Sequence, residues 1–443
     1  MKLLHERVEI VKVCVQGLWH LGVVTAVGLA KVGHTVKALD YDLQTIDGLI
    51  QGVLPVEEPG VHDLLIECQK AGSLTFINDA VSIKDCKIFW LAYDTPVDEN
   101  DVADVAFVIE QFKKSVPYIN SEALVIVSSQ LPVRTTRKLK KILNESRPNN
   151  KIKFVSQPEN LRLGKALDSF LLAERFVVGT ESAGFDSVLS ELFAPLNTSL
   201  VWMSIESAEM TKHAINAFLA TCITFMNEVS LICESVGADA KAVEKGLRTD
   251  SRIGAKAYIS PGLGFAGGTL ARDVKFLEKL KDHKPRGETL LSSLIPSNQF
   301  HNDWVKRKIE EIFAGQTRLN ITFWGLTYTA DTSTLRRSAM LELAIDLAKQ
   351  GHKISFYEDL SVGVPFDLNE LLNRLDSSAE TIGEADVVVV SKKIGDFVNP
   401  RAISALISQK SSIILDPSRH LADFLDVLDM GARYLAVGLI NER

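Results

Sequence analysis

The sequence predicts an α/β fold class: two doubly wound parallel sheets joined by a central helical domain with a long helix. Three observations predict it. Short β-branched runs alternate with helix-length segments through the first third, the alternation stops near Ser207, and it restarts near Asn320. A chain of 443 residues is too long for one core, so the expected domains are 1–203, 204–300 and 301–443.

In the first domain "VKVCVQG", "TVKALD", "KIFWLA", "ALVIVSS" and "IKFVSQP" read as strands. The first unit runs from strand through "GLWHLG" and the helix "VVTAVGLAKVG" into "HTVKALD". Such a β-α-β crossover puts its loop at the carboxyl edge of the sheet, where ligands bind. "GLWHLG" is a phosphate-cradling G-x-G-x-x-G short of one glycine, because Trp19 stands second. Gly17 keeps the tight turn and Gly22 the close helix packing. Asp40, ending the second strand, is the acid expected on a ribose diol. The loop is thus a Rossmann-like dinucleotide site, or an ordinary unit of that shape without cofactor. If the indole of Trp19 turns away, its backbone N–H still serves phosphate.

From Ser207 to about Leu247 the pattern is apolar with helical period, which predicts one extended helix, a spine for a helical domain and for a homodimer. "ISPGLGFAGGTLARD" interrupts it, and Pro285–Gly287 marks a linker. Then "NITFWG", "HKISFYED", "ADVVVVS" and "SSIILDPSR" rebuild a sheet around the helix "SAMLELAIDLAKQG".

Composition excludes several classes. A net charge of -7 without basic blocks gives nucleic acid no electrostatic footing, and "RTTRKLKK" reads as a solvated helix face. No uninterrupted apolar run reaches membrane-crossing length, so no membrane partner is expected. The charged N-terminus leads straight into a strand, unlike a secretion signal. The five cysteines are scattered through apolar patterns and read as reduced core thiols. Neither they nor the histidines have metal-ligand spacing, so a metal-free cytoplasmic protein is expected.

Several long motifs, in order, resemble the UDP-glucose/GDP-mannose dehydrogenases. "GVLPVEEPG", "DTPVDEN", "QPENLRLGKALDSFLLAERFVVG", "AEMTKHAINAFLA", "DSRIG", "GLGFAGGTLARD" and "FWGLTYTADTSTLRRS" carry the likeness across nearly the whole chain. The family oxidises a nucleotide sugar at C6 with NAD, so the resemblance implies NAD as cofactor and a nucleotide sugar as substrate. It implies that Gly17, Trp19, His20, Leu21, Gly22, Asp40, Thr95 and Arg336 hold the cofactor. Substrate contacts fall on Asn160, Leu161, Arg252, Tyr258, Gly264, Phe265 and Gly267, with Arg252 supplied across a dimer. Lys212 and Asn216, one helical turn apart, are implied to stabilise oxyanion character, Asp273 to order water, and Glu159 to activate it. A solvated lysine, a capping amide, a helix-start carboxylate and a turn carboxylate are their plain alternatives. A β-hydroxyacid dehydrogenase also carries Lys-x-x-x-Asn, but the third domain and the "EEPG" and "PENLRLG" motifs argue against it.

The departures bear on chemistry. The family's G-F-G-G-S-C-F-x-K-D loop uses its cysteine to form a thioester, and here Thr269 takes that place. A hydroxyl has a far higher pKa than a thiol and needs a strong base before it attacks. Gln130 replaces a threonine, Thr329 a lysine, Asn160 an aromatic, and Ser333 and Thr334 two aspartates. The expectation is a single two-electron step on a nucleotide sugar. The alternatives are a four-electron oxidation through a hydrated aldehyde, and a non-catalytic nucleotide-sugar binder.

Overall fold

The structure, a computed structural model, describes residues 10–98, 103–181, 186–266, 268–280, 288–316, 318–327, 335, 338–358, 368, 370–379, 383–392, 399–408, 411–424 and 433–439. Its contacts divide the chain into two compact units, Met1–Ala214 and Ile215–Arg443.

In the first unit β1 (Lys12–Gln16), β2 (Thr35–Leu39), β3 (Leu74–Ile77), β4 (Ile88–Leu91), β5 (Leu124–Val127), β6 (Lys153–Ser156), β7 (Arg175–Thr180) and β8 (Ser199–Ser204) form one sheet. Their order is β3-β2-β1-β4-β5-β6-β7-β8. Neighbours run parallel except β6 and β7, which meet antiparallel at Ser156 and Gly179. Both faces of β1 are buried: Val13 and Val15 join one apolar cluster, and Cys14 joins the other. The strand order reverses between β1 and β4, so the glycine loop after β1 and the turn after β4 flank the crevice where such sheets bind ligands.

The five strands read from sequence are present, and β3, β7 and β8 are additions. The edge strand β8 has no buried residue, so it lacks the alternation that identifies a strand.

The extended helix is shorter than its apolar pattern predicts. It runs Ile205–Val236 and stops where Gly237 turns left-handed at φ +82°. The N–H groups of Gly237 and Ala238 both return to the Cys233 carbonyl, a glycine C-cap. Asp239 then caps a separate helix, Ala240–Thr249, through the N–H groups of Lys241 and Ala242. The long helix also corrects the reading of apolar runs. Its most apolar stretch has a mean hydropathy of 1.5, enough by length and composition to cross a membrane, with 44% of that window buried. Polar residues interrupt the stretch without lowering its mean below that level.

In the second unit β9 (Asn320–Trp324), β10 (Lys353–Tyr357), β11 (Leu372–Arg374), β12 (Val387–Val390), β13 (Ile413–Leu415) and β14 (Tyr434–Leu435) build a parallel sheet. Its order is β11-β10-β9-β12-β13-β14. The short edge strands β11 and β14 carry too few residues to be read from sequence. Arg419 grips Asp239 at 2.8 Å, and Gly438 N–H donates to Glu234 at 3.0 Å, tying helices and sheet of this unit together.

Candidate active site

The cofactor loop is built by two glycines that admit no substitute. Gly17 has φ +97°, and a Cβ there would lie 2.6 Å from the Tyr93 ring. A Cβ on Gly22 would lie 1.6 Å from the Gly17 carbonyl oxygen. Only glycine therefore lets the helix His20–Lys31 start this close to the turn. Asp40 accepts the Leu18 N–H at 2.7 Å and the Asp42 N–H at 3.0 Å, fixing the loop to the end of β2. Trp19 is the helix N-cap, makes no side-chain cap, and is 52% exposed. A glycine turn, a helix N-terminus and an acid at the end of β2 fit a dinucleotide.

Two acidic partners of this loop escaped the sequence reading. Glu58, in the "EEPG" turn, is buried. It lies 2.8 Å from His20 Nε2 and accepts the N–H groups of Gly164 and Ala166 at 2.7 and 3.2 Å. His20 is thus an anchor between loops. Asp94, after β4, accepts the Leu21 N–H at 2.9 Å. The neighbouring Thr95 is buried and donates to the Gln130 carbonyl at 2.9 Å, holding two loops at the sheet edge together. None of these partners is near in sequence, so no spacing announces them.

The first unit also brings together two of the expected catalytic residues, a pairing the sequence did not predict. Lys212 Nζ lies 3.0 Å from Glu159 Oε1, and the other Glu159 oxygen accepts the Leu161 N–H at 2.6 Å. Glu159 is therefore an anchored carboxylate. Leu161 contributes its backbone here and packs its side chain on the core, while Asn160 is exposed and lines a cavity with Leu21, Glu159 and Leu161. Ser128, Ser129, Gln130, Glu159, Glu209, Lys212 and His213 line one cavity. Glu209 accepts the N–H groups of Arg134 and Thr136, where the helix Thr135–Ser146 begins, and His213 pairs with the Leu131 carbonyl. The hydroxyls of Ser129 and Thr136 are buried in that lining with no hydrogen bond to a described residue.

The second unit brings together two more of the expected catalytic residues. Asn216 Nδ2 donates to Asp273 Oδ2 at 2.5 Å, and Asp273 is fully buried. Asp273 lies in the second turn of the helix Thr269–Lys279, whose first turn carries no acidic residue, so it is not a helix-start carboxylate held by the dipole. Thr269 is the exposed first residue of that helix, after Gly268 at φ +105°.

Phe265 is buried, and its backbone is clasped from both sides by Asn298, N–H to Oδ1 at 2.9 Å and carbonyl to Nδ2 at 2.7 Å. A Cβ on Gly264 would meet Asn298 and Asn302 within 2.5 Å, so this loop is shaped by a glycine and two amides. Arg252 and Tyr258 are exposed, and Arg252 pairs with Asp250 at 2.7 Å. Gly267, Arg336, Thr329, Ser333, Thr334 and the linker Pro285–Gly287 lie outside the described residues.

The five cysteines are all free thiols. Burial raises the thiol pKa of Cys14, Cys68 and Cys222, and pushes Cys86 up to about 11. Cys233 is buried. Thiols of this kind are poor nucleophiles.

Comparison with known proteins identifies the family. Residues 11–197 match the NAD-binding domain of the UDP-glucose/GDP-mannose dehydrogenase family, and residues 206–299 match that family's central domain. A UDP-glucose 6-dehydrogenase of Bacillus subtilis, TuaD, is 31% identical over 79% of this chain and 76% of its own. A second from the same organism, YwqF, is 28% identical over 96% of this chain and 97% of its own. The solved UDP-glucose dehydrogenase of Pyrobaculum islandicum superposes with a TM-score of 0.83 at 23% identity, covering 99% of this chain and 100% of that one. At that identity the superposition speaks for the fold.

Proposed function

The chain belongs to the UDP-glucose/GDP-mannose dehydrogenase family, an NAD-dependent family, and from that premise we propose that it oxidises a nucleotide sugar in one two-electron step. The observation that carries this reading is the hydroxyl of Thr269 at the start of the helix where the family places a thiol. NAD, when bound, accepts a hydride, and Gly17, Gly22, Asp40 and the start of the helix His20–Lys31 are the residues that would hold it.

The rest of the chemistry belongs to the chain. The alcohol carbon loses a hydride and its oxygen loses a proton, leaving an aldehyde. Lys212 supplies positive charge to the oxygen as negative character develops there, and Asn216, one turn further along the helix, supplies an amide donor. Glu159 fixes the Lys212 ammonium, and Asp273 fixes the Asn216 amide. The departing proton passes to water ordered by Asp273. A second oxidation requires the aldehyde carbon to be captured by a nucleophile, and an unactivated threonine hydroxyl captures it poorly.

The test is to incubate the protein with nucleotide sugars and NAD, count NADH and weigh the product. One NADH per sugar and an aldehyde support the reading. A uronic acid with two NADH, formed at ordinary rates, sinks it. Tight sugar binding without turnover would support the binder instead.

We also infer that the protein is a homodimer through its long helix. Phe218, Phe225 and Ile232 recur at heptad spacing and are 66%, 50% and 59% exposed, the narrow apolar seam of a helix that meets its own copy. A Phe225→Lys variant is expected to sediment as a monomer where the wild type sediments as a dimer, with an unchanged circular dichroism spectrum. An unchanged dimer would exclude this seam.

A further inference from the structure

In a doubly wound sheet, the diphosphate of a dinucleotide rests on backbone N–H groups at the start of the helix after the first strand. In this chain that helix is His20–Lys31, and the N–H of its second residue, Leu21, already has an acceptor. Asp94 Oδ2 takes it at 2.9 Å, from a turn 73 residues further along the chain. The sheet order brings it there: β4 lies beside β1, so the turn after β4 faces the loop after β1 across the crevice where the order reverses.

A carboxylate and a diphosphate cannot share one N–H, and both are anions. Asp40 already holds the Leu18 N–H at 2.7 Å, so a second carboxylate faces the same short loop. Trp19, the residue that breaks the glycine pattern, is an indirect suspect by comparison, because its side chain is half in solvent and makes no cap.

We propose that Asp94 is the residue that sets cofactor affinity in this protein: its carboxylate occupies the diphosphate's backbone donor, and the cofactor docks by displacing it. The phosphates must therefore compete with a tethered anion of the chain itself, while the adenosine half does not. This rests on NAD as the cofactor and is independent of the number of oxidation steps.

Calorimetry on the full chain tests it with adenosine, ADP and NAD as probes. In the wild type, the diphosphate is expected to add little, so ADP binds within about tenfold of adenosine, a difference near 1.4 kcal/mol. Asp94→Asn keeps an acceptor for the Leu21 N–H and removes the charge. It is expected to tighten ADP and NAD about tenfold or more, because like charges at contact distance repel by that order in a part-buried site, and to leave adenosine unchanged. ADP binding far tighter than adenosine in the wild type would overturn the proposal without any variant. So would ADP and NAD affinities that stay level or weaken in Asp94→Asn and in a second variant, Asp94→Ser, both checked for folding by thermal melting. If neither wild type nor variants bind ADP or NAD, the cofactor assignment falls together with this proposal. If the wild type binds them and the variants gain nothing, this proposal alone falls.

Discussion

Replacing Thr269 with cysteine is expected to double the NADH yield, from one to two per sugar, and to change the product from aldehyde to acid. Thr269 is exposed and begins the helix Thr269–Lys279. A thiol at a helix N-terminus is drawn toward thiolate by the dipole and by unpaired backbone N–H groups. The thiolate adds to the aldehyde carbon, the adduct loses a second hydride to become a thioester, and water cleaves that ester to the carboxylate and frees the thiol. Exposure keeps the exchange harmless to the fold, with a stability change within about 0.5 kcal/mol. Counting NADH and weighing the product on wild type and variant checks it. A Thr269→Cys protein that still stops at one NADH would show that the missing thiol is not what limits the chemistry.

Lys212→Met is expected to lower kcat by about 10²- to 10³-fold, the effect of deleting one preorganised donor to a developing oxyanion. Its side chain is only 9% exposed and its partner Glu159 is 18% exposed, so the pair acts with little screening by water. A loss in kcat at steady KM marks an interaction made in the transition state. The substitution leaves Glu159 without its cation, so Glu159→Gln is the control: it removes the anchoring carboxylate but keeps the ammonium. A Lys212→Met enzyme with wild-type kcat would remove Lys212 from the oxyanion role.

What was legible in the sequence was local or periodic. β1, the loop, the helix His20–Lys31 and β2 announce themselves because strand, turn and helix each leave a short-range signature. The same holds for Lys212 and Asn216, whose spacing alone puts them one turn apart. The long helix was legible as a helix but not in length, because Gly237 sits in an apolar context and only its left-handed φ reveals the stop. Contacts made through the sheet were invisible. Asp94 reaches Leu21 only because β4 pairs with β1, and Asn298 clasps Phe265 only because the chain folds back over 33 residues. Orphan hydroxyls such as Ser129 Oγ likewise become meaningful only once burial is known.

The buried carboxylate of Glu58 has a consequence for how such a protein can diverge. It holds the His20 ring and the backbone N–H groups of Gly164 and Ala166 at once, so a change at 58 leaves partners unpaired in two separate segments together. Thr269, at an exposed helix start, ties down nothing comparable. Under the reading proposed above, an exchange at 269 would alter the chemistry alone, whereas one at 58 would loosen the frame on which the loop rests.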